Sequence, residues 1–277
     1  EHIGYHNLER MYECGGIKFH LARHSLVRRN VFRHLTHAGG IWLDVDNINC
    51  RITNNVFADI VTVVGAIYSE MNYERNRVDH NLVWDIRRPA GEPPEHLEAG
   101  AGLRADCNDV LEASQNFFGK LDSCGIMFSL IQSDRKSSGR TGLCRANEAR
   151  RNVIVGTPRR IHLGRREENV SDQNLFDVRN DNCSFHIAFP PPDNYQTLES
   201  WQKYFGLDRR SVQARVTADF DVEKLTLTWK VEGKLPAGFP VPGPLDEAEW
   251  KKSLRGGTGR QVFPIATCRI GTKRGRK

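Results

Sequence analysis

The chain has no Cys-x-x-Cys pair. Its seven cysteines stand at 14, 50, 107, 124, 144, 183 and 268. That odd, scattered set argues against a disulfide framework and for reduced, mostly buried thiols. Zinc-finger spacing is absent, as is the aromatic-plus-glycine signature of an RNA-binding motif, so no nucleic-acid partner is expected. No apolar run is long enough to span a membrane. Lysine and arginine exceed aspartate and glutamate by six in 277 residues, but part of the excess is the tail GTKRGRK, which reads as a solvated charge run. There is no initiator methionine and no signal peptide. The opening EHIGYHNLER starts in mid-pattern and reads as a piece of something longer, so neither compartment nor oligomeric state follows. Hydrophobic residues make up 39% of the chain, enough for a core if short elements stack instead of wrapping one thick interior.

What the chain does have is a repeat. GGIKFH at 15, GGIWLD at 39, GAIYSE at 65, AGLRAD at 101, CGIMFS at 124 and RRIHLG at 159 share a small residue, an aliphatic and then alternation, the last more loosely. Each is followed by an asparagine before two apolar residues, at Asn30, Asn55, Asn81, Asn116, Asn152 and Asn174. The leading aliphatics fall at 17, 41, 67, 103, 126 and 161, a period of about two dozen residues lengthened twice. The two insertions are RRPAGEPPEHLEA after Ile86 and QSDRKSSGRTG after Ile131, polar and rich in Pro, Gly or Ser as loops should be. A leucine-rich repeat is excluded, because its L-x-x-L-x-L-x-x-N spacing and its helix per repeat are missing. Short β-runs with one asparagine per period predict an all-β fold, a right-handed parallel β-helix over residues 1–189. The asparagines read as a structural amide ladder.

After Asn182 the pattern dissolves. Residues 190–277 read as a linker, a short helix in TLESWQKYFGLD with Thr197 as N-cap, and extended chain in VTADFDVEKLTLTWKV laid on the coils. The Pro- and Gly-rich remainder reads as irregular, and this whole part as a cover.

Alternation along a strand sorts the repeat into faces. The pairs Ile17/Phe19, Ile41/Leu43, Ile67/Ser69, Leu103/Ala105, Ile126/Phe128 and Ile161/Leu163 point inward. Two outward columns result. One runs Lys18, Trp42, Tyr68, Arg104, Met127, His162, and the other His20, Asp44, Glu70, Asp106, Ser129, Gly164. Outward polar residues are ordinary, and Lys18 and Arg104 can serve simply to neutralise acids. Three stacked acids are less ordinary, since directly opposed like charges destabilise a sheet. Strands ~4.8 Å apart put the carboxyls of Asp44 and Glu70 roughly 5 Å apart, near the separation of a retaining glycosidase pair. Charges that close raise one pKa and leave an acid beside a base. Trp42 and Tyr68 are expected to offer exposed faces to a sugar ring, with Lys18, His20, Arg104 and Asp106 binding its hydroxyls. Asp46 reads as a turn residue. The remaining histidines and Trp84, Trp201, Trp229 and Trp250 read as packing.

At these residues the sequence resembles a family. GIWLDVDNINCRITNNVF followed by AIYSEMN is similar to the catalytic region of family-120 glycoside hydrolases, β-xylosidases on a right-handed parallel β-helix. The likeness is specific over roughly residues 15–85 and looser to about 180, and MNYERN departs from the family's run. It implies Asp44 as nucleophile, Glu70 as general acid/base and a carbohydrate substrate, an oligosaccharide or plant polysaccharide fragment. No cofactor is expected, and no essential metal, because the positive charges of Lys18, His20 and Arg104 can offset the acids. Two alternatives stay open. One is a polysaccharide lyase on the same fold, with acids holding Ca²⁺ and Lys18 or Arg104 as base. The other is a non-catalytic glycan-binding module.

Overall fold

The computed structural model describes residues 14–130, 135–178, 184–188 and 194–264. The opening segment, the linker's proline run, Cys183, Cys268 and the basic tail lie outside them. The described chain is all-β, with few helices, and its strands deal themselves in turn to three sheets. The first sheet takes Gly15–Phe19, Gly39–Leu43, Ile67–Glu70, Leu103–Asp106, Cys124–Ser129, Arg159–Leu163 and Phe185–Ile187, all parallel. The second takes the short strands Leu26–Arg28, Arg51–Thr53, Asn76–Asp79, Leu111–Ser114, Glu148–Arg150 and Val170–Asp172. The third takes Val31–Thr36, Val56–Val61, Leu82–Arg87, Phe117–Leu121, Val153–Val155 and Leu175–Asp177.

Register follows the repeat residue by residue. Ile17, Ile41, Ile67, Leu103, Ile126 and Ile161 are successive partners across the first sheet. They meet Val27, Ile52 and Val78 of the second sheet and Phe57, Val83, Phe118 and Ile154 of the third in one buried cluster. The two halves of the repeat explain each other here. A Cβ placed on Gly40 would come within 2.5 Å of the Phe57 ring, and one on Gly102 within 2.6 Å of Phe118. The glycine before the aliphatic therefore makes room for an apolar residue that follows the asparagine of the same unit. Phe32 and Phe57 then stack along the third sheet, centroids 4.8 Å apart.

The asparagines form the expected ladder. Nδ2 of Asn30, Asn55, Asn81, Asn116 and Asn152 each donates to Oδ1 of the next asparagine, ending at Asn174, over 3.0–3.1 Å. The same Oδ1 atoms also accept the backbone N–H of the residue below. A second amide series stands between the first and second sheets, where Asn47 bonds Asn72 and Asn147 bonds Asn169. These side chains satisfy backbone groups at turns that would otherwise be buried without partners.

Past residue 182 two expectations need correcting. The pattern runs one strand further, because Phe185 pairs in register with Ile161. The C-terminal remainder is also not irregular. Asp246 caps a helix over Glu247–Leu254, and Gly259–Val262 is a strand. Thr197 does cap a short helix at Leu198–Ser200, through a reciprocal bond with Ser200, and a π-type turn at Trp201–Phe205 continues it to left-handed Gly206. Val212–Asp221 extends the third sheet in parallel, and Thr226–Glu232 returns antiparallel. Trp229, Trp250, Phe220 and Leu227 then cover the outward side chains Ala58, Leu82, Trp84, Phe117 and Val153. The C-terminal part is thus a lid on the third sheet, and the four tryptophans read as packing are buried. The five described cysteines are free thiols, four of them buried.

Candidate functional site

The first outward column is a continuous stack. Lys18 Nζ lies 3.8 Å above the Trp42 ring. The Trp42 and Tyr68 centroids are 5.1 Å apart, and the Arg104 guanidinium covers the far face of Tyr68 at 4.5 Å. Val63 and Val64, from the turn before the next strand, close the cluster. Only 3% of Trp42 and 2% of Tyr68 remains exposed. The expectation that these rings present free faces is therefore corrected: strand alternation put them on the outer face, and a second layer covers it. Arg104 and Asp106 are buried too, joined by an ion pair of 3.1 Å. Asp106 also accepts from Ser129 Oγ at 3.1 Å. As placed, these four residues support the site from within and do not reach a ligand. The loop between the third and first sheets over 88–101 adds to the cover, with Leu97 packed on Met127 and Cys124.

The carboxylate row sits where the strands end. Leu43 pairs with Ser69, so Asp44 follows beside Glu70, and Glu70 itself is the register partner of Asp106. Asp44 is held by a backbone bond to Phe19 O and by an ion pair of 3.2 Å with Lys18. His20, one position past the preceding strand, is exposed and has no hydrogen bond or ion pair among the described residues. Asp46 does take a left-handed turn, at φ 55°.

Glu70, like Asp106, is buried, whereas Asp44 is partly exposed. Burial raises the pKa of Glu70, the Arg135 charge opposes that rise, and the Asp44 charge adds to it. Arg135 forms an ion pair and hydrogen bond with Glu70 Oε1. It belongs to the second insertion, which does not simply leave the scaffold. Ser138 Oγ donates to Asp46 at 2.6 Å, Arg140 pairs with Glu74 at 2.8 Å, and Tyr73 donates its hydroxyl to Arg140 O. The segment 135–142 thus lies across the strand ends and brings a cation to the acid row. Nothing periodic marks Arg135 in the sequence. Its only signal is a basic residue in a polar insertion beside the repeat that carries the acids.

A second group went unforeseen at the far end of the first column. His162 and His186 are register partners, with Nδ1 atoms 2.6 Å apart, and His186 stacks on Tyr195 with centroids 4.3 Å apart. Burial, followed by His186 and Arg159, pushes His162 down to about 3.

Among the described residues no three His, Cys, Asp or Glu side chains are grouped to hold a metal ion, and no helix is long and apolar enough to cross a membrane. No protein-family model, curated protein or solved structure matches this chain.

Proposed function

We propose that the three sheets form a right-handed parallel β-helix resembling that of family-120 glycoside hydrolases, and that the chain is a retaining, β-xylosidase-like glycosidase acting on oligosaccharides or plant polysaccharide fragments. The observation carrying this reading is the asymmetry of two adjacent carboxylates. Asp44 stands partly open at its strand end beside Lys18, while Glu70 is buried with a raised pKa. A carboxylate able to attack beside a carboxyl able to hold a proton is the pair that double displacement needs.

In that reaction Asp44 forms a bond to the anomeric carbon as the glycosidic C–O bond breaks, and the Glu70 proton goes to the leaving oxygen. Glu70, now a carboxylate, takes a proton from water, whose oxygen displaces Asp44 and restores both groups. Because Trp42 and Tyr68 are covered, sugar contacts fall to the rim, to Lys18, His20 and the segment 135–142. The lyase alternative is weaker. Arg104 is buried between Tyr68 and Asp106, and Lys18 is committed to Asp44, which leaves neither well placed to abstract a proton.

The two carboxylates should fail differently. Asp44→Ala should abolish turnover whatever the leaving group. Glu70→Ala should spare the first step of an activated aryl β-xyloside and lose roughly 10²–10⁴-fold on substrates with poor leaving groups. Azide added to Glu70→Ala should yield a β-glycosyl azide. Equal losses on both substrate types with no azide adduct, or an inverted product from the parent, would end this assignment.

A further inference from the structure

We propose that Arg135 is a displaceable positioning residue for Glu70: its guanidinium bonds Oε1 and favours the carboxylate, and a ligand oxygen that takes its place strengthens the hold of Glu70 on a proton. The catalytic half of this statement rests on the glycosidase reading; the electrostatic half does not.

Three observations carry it. The guanidinium bonds Glu70 Oε1, one of the two oxygens on which the carboxyl can carry its proton. The two partners are unequal, with the Glu70 side chain 5% exposed and that of Arg135 45% exposed. The buried acid is fixed, whereas the arginine reaches it from solvent. Arg135 also comes from an insertion and not from the repeat, so it can shift without disturbing either sheet or ladder.

The remaining charges around Glu70 are already committed. Asp44, from the preceding strand end, faces Lys18. Arg104, from the following strand, faces Asp106. Tyr68, on the same strand, is neutral, because burial drives its phenol far above the ordinary range. Arg135 is thus the cation in contact with Glu70, and taking it away leaves a buried carboxyl whose pKa the Asp44 charge raises further. An opposite charge at contact distance lowers a carboxyl pKa by about 1–3, so its departure should raise the proton affinity of Glu70 by roughly 10–1000-fold.

The test needs no substrate. Glutamate labelled with ¹³C at the carboxyl would be titrated by NMR in the parent, Arg135→Gln and Arg135→Lys, with Glu70→Gln assigning the resonance. Glu70 should titrate at clearly higher pH in Arg135→Gln and return toward the parent value in Arg135→Lys. Coincident titrations in the parent and Arg135→Gln would overturn the proposal, and so would an Arg135→Lys curve that follows Arg135→Gln. With an aryl β-xyloside, the alkaline limb of kcat/KM should move upward in Arg135→Gln. A shifted titration in a protein with no glycosidase activity would uphold the arginine's role and remove the catalytic reading alone.

Discussion

Two ladders run along this molecule, and they solve the same problem with opposite chemistry. In the asparagine ladder every rung is identical, and each amide donates to one neighbour while accepting from the other. In the acid row the rungs are Asp44, Glu70 and Asp106. A carboxylate only accepts, so stacked carboxylates repel, and each has its own cation. Asp106 has Arg104 from its own strand, Asp44 has Lys18 from the neighbouring strand, and Glu70 has Arg135 from a distant insertion. A self-complementary side chain can be repeated without limit and serves as architecture. A side chain that needs an imported partner marks a place where sequence has been committed to something other than the fold.

The strongest way to break the comparison is on the amide side. Asn116→Ala would leave the Asn81 N–H and the Val78 C=O without the side-chain partner each has in the ladder, while Asn81 Nδ2 keeps its bonds to Ile52 O and Asp79 O. At ~1–3 kcal/mol for each of the two groups, urea unfolding should show a loss of about 2–6 kcal/mol. On the acid side the cost depends on which member is removed. Asp106→Ala strands the buried Arg104 and should lose about 3–5 kcal/mol, whereas Arg104→Met with Asp106→Leu should recover most of it. A double variant as unstable as the single one would place the cost on the lost contacts to Ser129 and Tyr68 and not on the stranded charge.

A pH dependence sharpens the contrast with a third kind of rung, the His162–His186 pair. His162 titrates at about 3 in the fold against 6.5 in the unfolded chain. A base depressed by folding contributes stability that is complete above 6.5 and lost as pH falls toward 3. The parent should lose ~1.4 kcal/mol per pH unit across that window from this group, and His162→Gln should flatten that part of the stability profile in urea titrations.

The repeat was legible because its signals are redundant. Ile41, Asn55 and the glycine that accommodates Phe57 all report the same unit, and each would have sufficed to set the register. Phe185 was missed because an aromatic stands where the other units have an aliphatic and no asparagine before two apolar residues follows it. The helix at Glu247–Leu254 carries an N-cap, acids in its first turn and lysines in its last, but it is short and sits within proline- and glycine-rich chain. The acids were placed correctly along the sheet, since alternation fixes direction. Alternation says nothing about what lies above a face, so the burial of Trp42 and Tyr68 under Lys18, Val63, Val64 and Arg104 could not be read. Arg135 is 65 positions from Glu70, with no periodicity linking them.

Ile17, Ile41 and Ile67 are neighbours in space yet stand 24 and 26 residues apart along the chain. Pulled by its ends, such a chain cannot give way strand by strand within a sheet. It surrenders a whole unit at a time, each releasing roughly 80–130 Å of contour at ~3.3–3.6 Å per residue, the longer steps where an insertion lengthens the unit. The same spacing that stacks the acids makes the protein a ruler under tension, with graduations set by its repeat.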